Sequence, residues 1–199
     1  KRVIRKAPEL DAQLVQRLHD AEEETIGMQQ LLNDLLDLSR SDSGRLQVKQ
    51  EPVDLRPLLD EVVRAQGAAL AREMTLELPA DGTAVAVLGD PARLRQVLLN
   101  LIENAHKYSP AEQPIQLRLS SSTDGLVLEV EDRGIGIPLQ DQAFVFDRFH
   151  RGSNTTGQSG SGVGLSVVKL LLEAMDGSIS VSSEPGMGSC FRITLRRAP

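Results

Sequence analysis

The chain of 199 residues is long enough for one large domain, or for a compact domain with an appendage. Its composition, with 40% hydrophobic and 25% charged residues, is that of an ordinary soluble globular protein and excludes a disordered chain. The formal net charge of −6 argues against a nonspecific nucleic-acid binder. Any polyphosphate ligand must therefore be met by a local cluster of cations.

Signals for membranes and for disulfides are both lacking in the sequence. No apolar run reaches the roughly 20 residues of a membrane span, and no signal peptide opens the chain. The single cysteine, Cys190, excludes an internal disulfide and fits a reducing compartment. Because the sequence begins with Lys1 and not with Met, we expect a cytoplasmic fragment whose parent protein meets a membrane only through segments upstream.

A long amphipathic helix is predicted from Leu10 to Leu38. Apolar residues recur there at alternating steps of three and four, as in a heptad seam, and Gly44 suits the end of the helix. A stripe of this kind needs a partner. We expect it to pair with a missing upstream helix and with a second copy of the chain; the alternative is packing on the rest of this chain.

After a linker that includes QEPVD, helices and short strands alternate. Three helices are predicted, at Leu55–Arg72, from Pro91 through the run LLNLIENAHKYSP, and at Val163–Met175. Strands are predicted at Thr75–Leu78 and Ala84–Leu88, in the antiparallel pair PIQLRLS and GLVLEVED, and in the closing pair SISVSS and CFRITLRR. This order indicates an α+β sandwich with helices on one face of a sheet.

The helix that begins near Pro91 carries an unusual polar stripe. Residues three and four apart share a helix face, so one face presents two carboxamides, an ammonium and a phenol, from Asn100, Asn104, Lys107 and Tyr108. Such a set is poor core and unusual surface. It indicates a face that holds a ligand. Glu103 lies off this stripe and is predicted to be solvated or salt-bridged.

Two further stretches have a functional interpretation and an ordinary one. In DRGIGIP, Asp132 at a strand end could accept from an exocyclic amine while Gly134 and Gly136 leave room for a flat base; alone, an ordinary acidic turn is the better interpretation. In VFDRFHRG, Arg148 and Arg151 suit phosphate oxygens. For this stretch alone, a solvated charged face is the better interpretation.

The third stretch, GSGVGL, precedes a predicted helix and could bind an anion with its backbone N–H groups. It is not a P-loop, because Gly164 is followed by Leu165 and not by Lys. It is not a dinucleotide fingerprint either, because a polar loop and not a strand stands before it. In isolation it is weak evidence.

Together and in this order, the motifs resemble the ATP-binding domain of sensor histidine kinases, whose fold is shared with gyrase, heat-shock and mismatch-repair ATPases. NLIENAHKYSP is similar to the asparagine box, DRGIGIP to the first glycine box, FDRFHR to the phenylalanine box and GSGVGLSVVK to the second glycine box. PGMGSCFRITL resembles the closing hairpin. LLNDLLDLSRSDSG resembles the end of the second helix of the dimerisation and phosphotransfer hairpin.

The resemblance implies a Bergerat-type fold: a two-layer α/β sandwich with a mixed, largely antiparallel sheet, preceded by a long coiled-coil-like helix. Residues 1–46 would be part of the dimerisation and phosphotransfer hairpin, 47–53 a linker and 54–199 the ATP-binding catalytic domain. The cofactors implied are ATP and Mg²⁺. The partners implied are a second copy of the chain and the receiver domain of a response regulator.

The resemblance also implies a role for each matching residue. Asn104 would coordinate Mg²⁺, with Asn100 one turn earlier. Contacts to phosphate oxygens would come from Lys107 and Arg151, with help from Arg148. On the adenine side, Tyr108 would pack on the base, Asp132 would accept from its amino group, and the glycines would give it room. The phosphates would be bordered by Gly160, Gly162 and Gly164, which would also hinge a lid through about 152–161. The other residues expected to bind the nucleotide are Ile137, Val163 and Leu165.

Position 100 bears on the reaction. Hydrolytic relatives place a Glu there, and a carboxamide cannot act as a base near neutral pH. We therefore expect Asn100, Lys107 and Arg151 to hold ATP for an external nucleophile. A hydrolytic ATPase or serine kinase of the same fold, or a degenerate interaction scaffold, is the alternative.

The phosphoacceptor box of the family is missing. His19 is followed by Asp20, but it lacks the Pro of the box and lies on the second helix by register. The fragment should therefore bind Mg-ATP without phosphorylating itself. The parent protein would phosphorylate an upstream His and pass the phosphoryl group to an Asp of a response regulator. The roles of Arg133 and His150 stay open.

Overall fold

The computed structural model describes residues 12–80, 83–123, 125–155 and 160–199. The helices are α1 (Ala12–Asp42), α2 (Leu55–Ala69), α3 (Pro91–Tyr108), α4 (Leu139–Gln142) and α5 (Gly164–Glu173). The strands are β1 (Glu51–Asp54), β2 (Met74–Glu77), β3 (Ala86–Gly89), β4 (Ile115–Ser122), β5 (Gly125–Asp132), β6 (Ser178–Glu184) and β7 (Gly188–Leu195).

Five strands of the described chain form the main sheet, in the order β2-β4-β5-β7-β6. Strand β2 runs parallel to β4, and the remaining pairs are antiparallel. Inward positions of β4 and β5, such as Leu117 and Val130, are buried beneath the helices, as the period of two predicts. The predicted α+β fold with a mixed, largely antiparallel sheet is confirmed.

Helix α3 is the element that carries the polar stripe, and its ends are fixed by its sequence. The Asp90 side chain caps the N-terminus by accepting from the N–H groups of Ala92 (3.0 Å) and Arg93 (3.4 Å), and Pro91 takes the first position. Its apolar face packs against the sheet through residues that include Leu94, Val97, Leu98, Leu101, Ile102 and Ala105. The opposite face is thereby left for the polar side chains.

The linker predicted at 47–53 is corrected at its C-terminal end. Glu51–Asp54 form β1, which pairs antiparallel with β3, and this pair buries Val53 against Val87. The four residues are too few to show an alternating pattern, which is why they resembled a linker. A smaller correction is that α2 ends at Ala69 and not at Arg72.

Helix α1 packs along one side of this sandwich. Its predicted start at Leu10 lies outside the described residues, and it continues to Asp42. Leu38, Asp34 and Asp37 are buried against the domain. The packing on this chain that the sequence left as an alternative is therefore present on one face. The predicted seam stays largely open, with exposed residues that include Leu14, Met28, Leu32 and Leu35.

Ion pairs and amide contacts hold α1 in place. Arg93 of α3 pairs with Asp37 in a two-pronged arrangement, at 2.7 and 3.0 Å. Arg148 makes a similar pair with Asp42, at 2.7 and 2.6 Å.

Within the described residues, no helix combines the length and the apolar character that crossing a membrane requires.

Candidate functional site

A cavity of about 540 Å³ lies between α3, the loop after β5, the segment that leads into α5, and α1. It brings together residues from all four sequence motifs. The lining includes Asn100, Glu103, Asn104, Lys107, Tyr108, Asp132, Gly136, Ile137, His150, Arg151, Gly160, Gly162, Gly164 and Leu165.

The wall formed by α3 carries the predicted polar stripe. Asn100 is buried; its Nδ2 donates to the carbonyl of Gly164 at 3.4 Å, and its Oδ1 accepts from Gln30 at 3.1 Å. Two turns further on, the Lys107 ammonium lies 4.8 Å from the centre of the Tyr108 ring, within range of a cation–π contact. Glu103 is exposed, yet it also borders the cavity.

Asp132, the last residue of β5, also lines the cavity. Its side chain is only 6% exposed, and its Oδ1 accepts from the N–H of Gly134 at 2.7 Å. Burial raises the pKa of Asp132 to about 6, whereas the N–H groups of Gly134 and Ser189 and the charge of Arg72 act to lower it. The carboxylate is thus a buried acceptor that faces the cavity.

The glycines of this loop are required by the protein's own backbone. A Cβ on Gly134 would lie 2.2 Å from the carbonyl oxygen of Tyr108, and one on Gly136 would lie 2.1 Å from that of Glu184. Gly136 also has a φ of +65°. Gly134 packs behind the cavity and does not line it, so room for a base is not the main reason for a glycine there.

The segment before α5 approaches the α3 wall closely. A Cβ on Gly160 would lie 2.5 Å from Lys107 Nζ, and one on Gly162 would lie 2.7 Å from the carbonyl oxygen of His150. The predicted lid at 152–161 begins on a fixed base, because Asp141 accepts from the N–H and the hydroxyl of Ser153 (2.7 and 2.8 Å). These bonds lower the pKa of Asp141. Residues 156–159 of the lid lie outside the described residues.

Besides Gly134, three residues named in the sequence analysis lie outside the lining of the cavity. Arg148 does not line the cavity, because its guanidinium pairs with Asp42 of α1. This arrangement corrects the prediction that Arg148 helps to contact phosphate oxygens. Val163 is buried behind the cavity, and Arg133 does not line it either. His19 belongs to α1, but its side chain lies outside the described residues.

Sequence reasoning missed the contribution of α1 to the cavity. Gly27, Gln30, Leu31 and Asp34 line it from that helix. Burial raises the pKa of Asp34 to about 6; the charges of Asp37 and Glu103 add to the effect and the hydrogen bond from Gln96 opposes it. A helical repeat reveals which residues share a face but not what that face covers, so the sequence held no signal for this contact.

The imidazole of His150 is a second feature that the sequence left open. It lines the cavity and lies 5.9 Å from the ring of Phe144. Its Nε2 atom is buried and, within the described residues, makes no hydrogen bond. An unsatisfied buried nitrogen at the wall of a cavity is suited to a polar ligand atom.

The sandwich with its amide- and cation-lined cavity defines a nucleotide-binding domain. A family model described as "Histidine kinase-, DNA gyrase B-, and HSP90-like ATPase" matches residues 89–199. The chain belongs to this family, as its asparagine and glycine boxes predicted.

Relatives and solved structures agree with this assignment. The chain is 37% identical over 186 residues to the adaptive-response sensory kinase SasA of Thermosynechococcus vestitus, covering 91% of this chain and 48% of SasA. It is similar to the mycobacterial sensor histidine kinase MprB, with a TM-score of 0.64, 30% identity and coverage of 75% of this chain and 99% of that one. It also resembles full-length ShkA in complex with AMPPNP (TM-score 0.73, 26% identity, coverage 98% and 42%). The chain spans about half, or less, of the curated relatives it matches.

Proposed function

We propose that the cavity binds Mg-ATP and that the chain is the catalytic region of a sensor histidine kinase. The observation that carries this proposal is the convergence of Asn104, Lys107, Arg151 and Asp132 on one cavity, from three separate parts of the chain. The cations and the amide suit a triphosphate, and the buried carboxylate suits an exocyclic amine. The similar ShkA structure is a complex with AMPPNP, an ATP analogue, which supports the same class of ligand here.

The donor set fits a magnesium ion that arrives with its nucleotide. Among the described residues, no group of three or more His, Cys, Asp or Glu side chains could hold a metal. Mg²⁺ commonly keeps several waters and is shared with substrate phosphates, so one or two protein oxygens suffice. The carboxamide oxygen of Asn104 would be such a ligand. Bound there, the ion would neutralise phosphate charge and fix the triphosphate.

The residues of the chain would then align and stabilise the transferring group. Lys107 and Arg151 would contact phosphate oxygens, and Asp132 would hold the adenine amino group. Asn100 has no basic atom, and both of its polar groups already bond to protein, to Gly164 and Gln30. The site therefore favours transfer to an external nucleophile over rapid hydrolysis. We infer that this nucleophile is a histidine upstream of the segment, and that the phosphoryl group passes on to an Asp of a response regulator.

The same proposal extends to partners and location. The apolar residues exposed along α1, among them Met28 and Leu32, suit the other helices of a dimeric bundle that a second copy would complete. The similarity to sensor kinases suggests a receiver domain as the acceptor and the cytoplasm as the location.

Calorimetric titration with AMPPNP and MgCl₂ tests this proposal. The wild-type chain should bind, whereas Asn104→Ala and Asp132→Ala should each lose about 100-fold or more in affinity. Arg95→Ala is the matched control, because Arg95 pairs with Glu61 at the surface away from the cavity. Wild-type affinity in both site variants would defeat the assignment. Steady phosphate release from ATP would favour a hydrolytic enzyme instead.

A further inference from the structure

Arg72 is a buried arginine that lies outside the lining of the cavity. It follows α2, and its side chain is only 5% exposed. An arginine is rarely buried unless its donors are satisfied, and usually a carboxylate satisfies them. Here, in the described part of the chain, the guanidinium donates instead to main-chain carbonyls and to one hydroxyl, and its Nη1 also lies 3.4 Å from Nδ1 of the His106 imidazole.

These acceptors all lie at the C-terminal end of α3 and in the loop that follows. Nη1 donates to the carbonyl of His106 at 3.1 Å, Nη2 to that of Pro110 at 2.7 Å, and Nε to that of Gln113 at 2.9 Å. Nη2 also donates to the hydroxyl of Ser109. The last carbonyls of a helix have no partner within the helix, and a cation near them is favoured by the helix dipole. Arg72 therefore acts as the C-terminal cap of α3.

The turn that Arg72 caps supports the adenine side of the cavity. It carries Lys107 and Tyr108, and the carbonyl of Tyr108 accepts from the N–H of Ile135 at 3.0 Å. The same carbonyl is the atom against which Gly134 packs. The loop that orients Asp132 is therefore held by contacts with the C-terminal end of α3, and that end is in turn held by the hydrogen bonds from Arg72.

We propose that Arg72 is a positioning residue for nucleotide binding: it holds the C-terminal turn of α3 so that Tyr108, Lys107 and the Asp132 loop face the cavity together. The inference rests on the proposed function for its link to the nucleotide. The capping itself is a property of the protein without ligand, and it can be tested separately.

The charge of Arg72 has a second consequence. It opposes the rise in the pKa of Asp132 that burial causes, together with the N–H groups of Gly134 and Ser189, whereas the neighbouring Glu131 adds to that rise. Glu112 is the other carboxylate that acts on Arg72 itself. Removing the positive charge would raise the pKa of Asp132 further, so that the carboxylate would be lost at a higher pH than in the wild type.

The test compares Arg72→Met, Arg72→Lys and the control Arg118→Met, which removes a half-buried arginine paired with Glu77 on the outer face of the sheet. Affinity for Mg-AMPPNP is measured by calorimetry from pH 5.5 to 8. The chain has one tyrosine and no tryptophan, so its intrinsic fluorescence reports on Tyr108 alone.

We expect Arg72→Met to bind Mg-AMPPNP about tenfold more weakly at pH 7.5, with the fall in affinity on acidification moved to higher pH. Arg72→Lys keeps the charge but not the fork of donors. It should lose affinity while keeping the wild-type pH profile. Both variants should change the tyrosine emission and its quenching by acrylamide before any nucleotide is added, and Arg118→Met should change neither.

Wild-type affinity, pH profile and tyrosine fluorescence in a folded Arg72→Met would overturn the inference. If Arg72→Met does not fold, Arg72→Lys decides: weaker binding with altered tyrosine quenching supports positioning, and wild-type values of both overturn it. If the wild-type chain binds no nucleotide, the proposed function fails. The tyrosine signal of the ligand-free variants then still decides whether Arg72 positions the turn.

Discussion

The two sides of the cavity are held in different ways. The side that carries Asp132 is built from buried groups: Asp132 is 6% exposed, and the carbonyl of Tyr108 is packed against Gly134. The side formed by α1 depends more on ion pairs, one of which, Arg148–Asp42, has side chains 43% and 59% exposed. Exposed pairs contribute little to stability. The comparison indicates a fixed wall opposite a helix that can be released.

The largest effect is expected from breaking the fixed wall. In Gly134→Ala the new Cβ would meet the carbonyl oxygen of Tyr108, which is backbone and cannot move aside without shifting α3. We expect a loss of about 2 kcal/mol or more in unfolding free energy and of at least about tenfold in affinity for Mg-AMPPNP. Urea unfolding and calorimetry measure the two. Arg95→Ala, which removes a surface pair with Glu61 outside the cavity, is the control. A stable Gly134→Ala that binds normally would contradict this view of the wall.

A smaller effect is expected from releasing α1. Asp37 is buried, and its loss leaves Arg93 without its two-pronged partner. Asp37→Ala should weaken the docking of α1 by about 2 kcal/mol, although Ala is the better helix former. Hydrogen exchange should then accelerate in the second half of α1 and stay unchanged in the sheet. Equal acceleration in both would mean that α1 and the sandwich open as one unit.

The docking of α1 should also depend on pH. The pKa of Asp34 rises from 3.8 to about 6 in the docked state, so this state binds more protons between those values. Docking is therefore favoured at low pH and weakens by up to about 3 kcal/mol as the pH rises through 6. Exchange of α1 amides, corrected for the intrinsic rate, should show this loss. Asp34→Asn should remove it and keep α1 protected at pH 7.5; an unchanged pH dependence in that variant would assign the titration elsewhere.

The smallest effect separates two arginines of the same motif. Arg148 pairs with Asp42, whereas Arg151 lines the cavity. Arg148→Ala should keep the affinity for Mg-AMPPNP within about twofold, and Arg151→Ala should lower it about tenfold. Equal losses of affinity in the two variants would mean that Arg148 contacts the phosphates as Arg151 does.

The sequence was sufficient for much of the fold because local patterns decide it. Pro91 after Asp90 marks the start of α3, and alternation marks β4 and β5. The motifs also placed Asn104, Asp132 and Gly162 around one ligand before any geometry was known, and the cavity does bring them together.

What the sequence could not give depends on contacts between distant segments. Gln30 and Asn100 are 70 positions apart, and nothing in either segment predicts that they meet. Arg148 lies in a motif that predicts contact with phosphate, but its side chain pairs with a residue of α1. Arg72 follows a helix in a stretch without a motif, and its carbonyl acceptors carry no side-chain signature.

Hydrogen exchange of the wild-type chain with and without AMPPNP and MgCl₂ tests the central claim most directly. We predict that the nucleotide protects three separate segments together: the second half of α3, the loop after Asp132, and residues 160–165. Protection of only one of them, or of none at a nucleotide concentration that saturates binding, would contradict a single nucleotide site formed by all three.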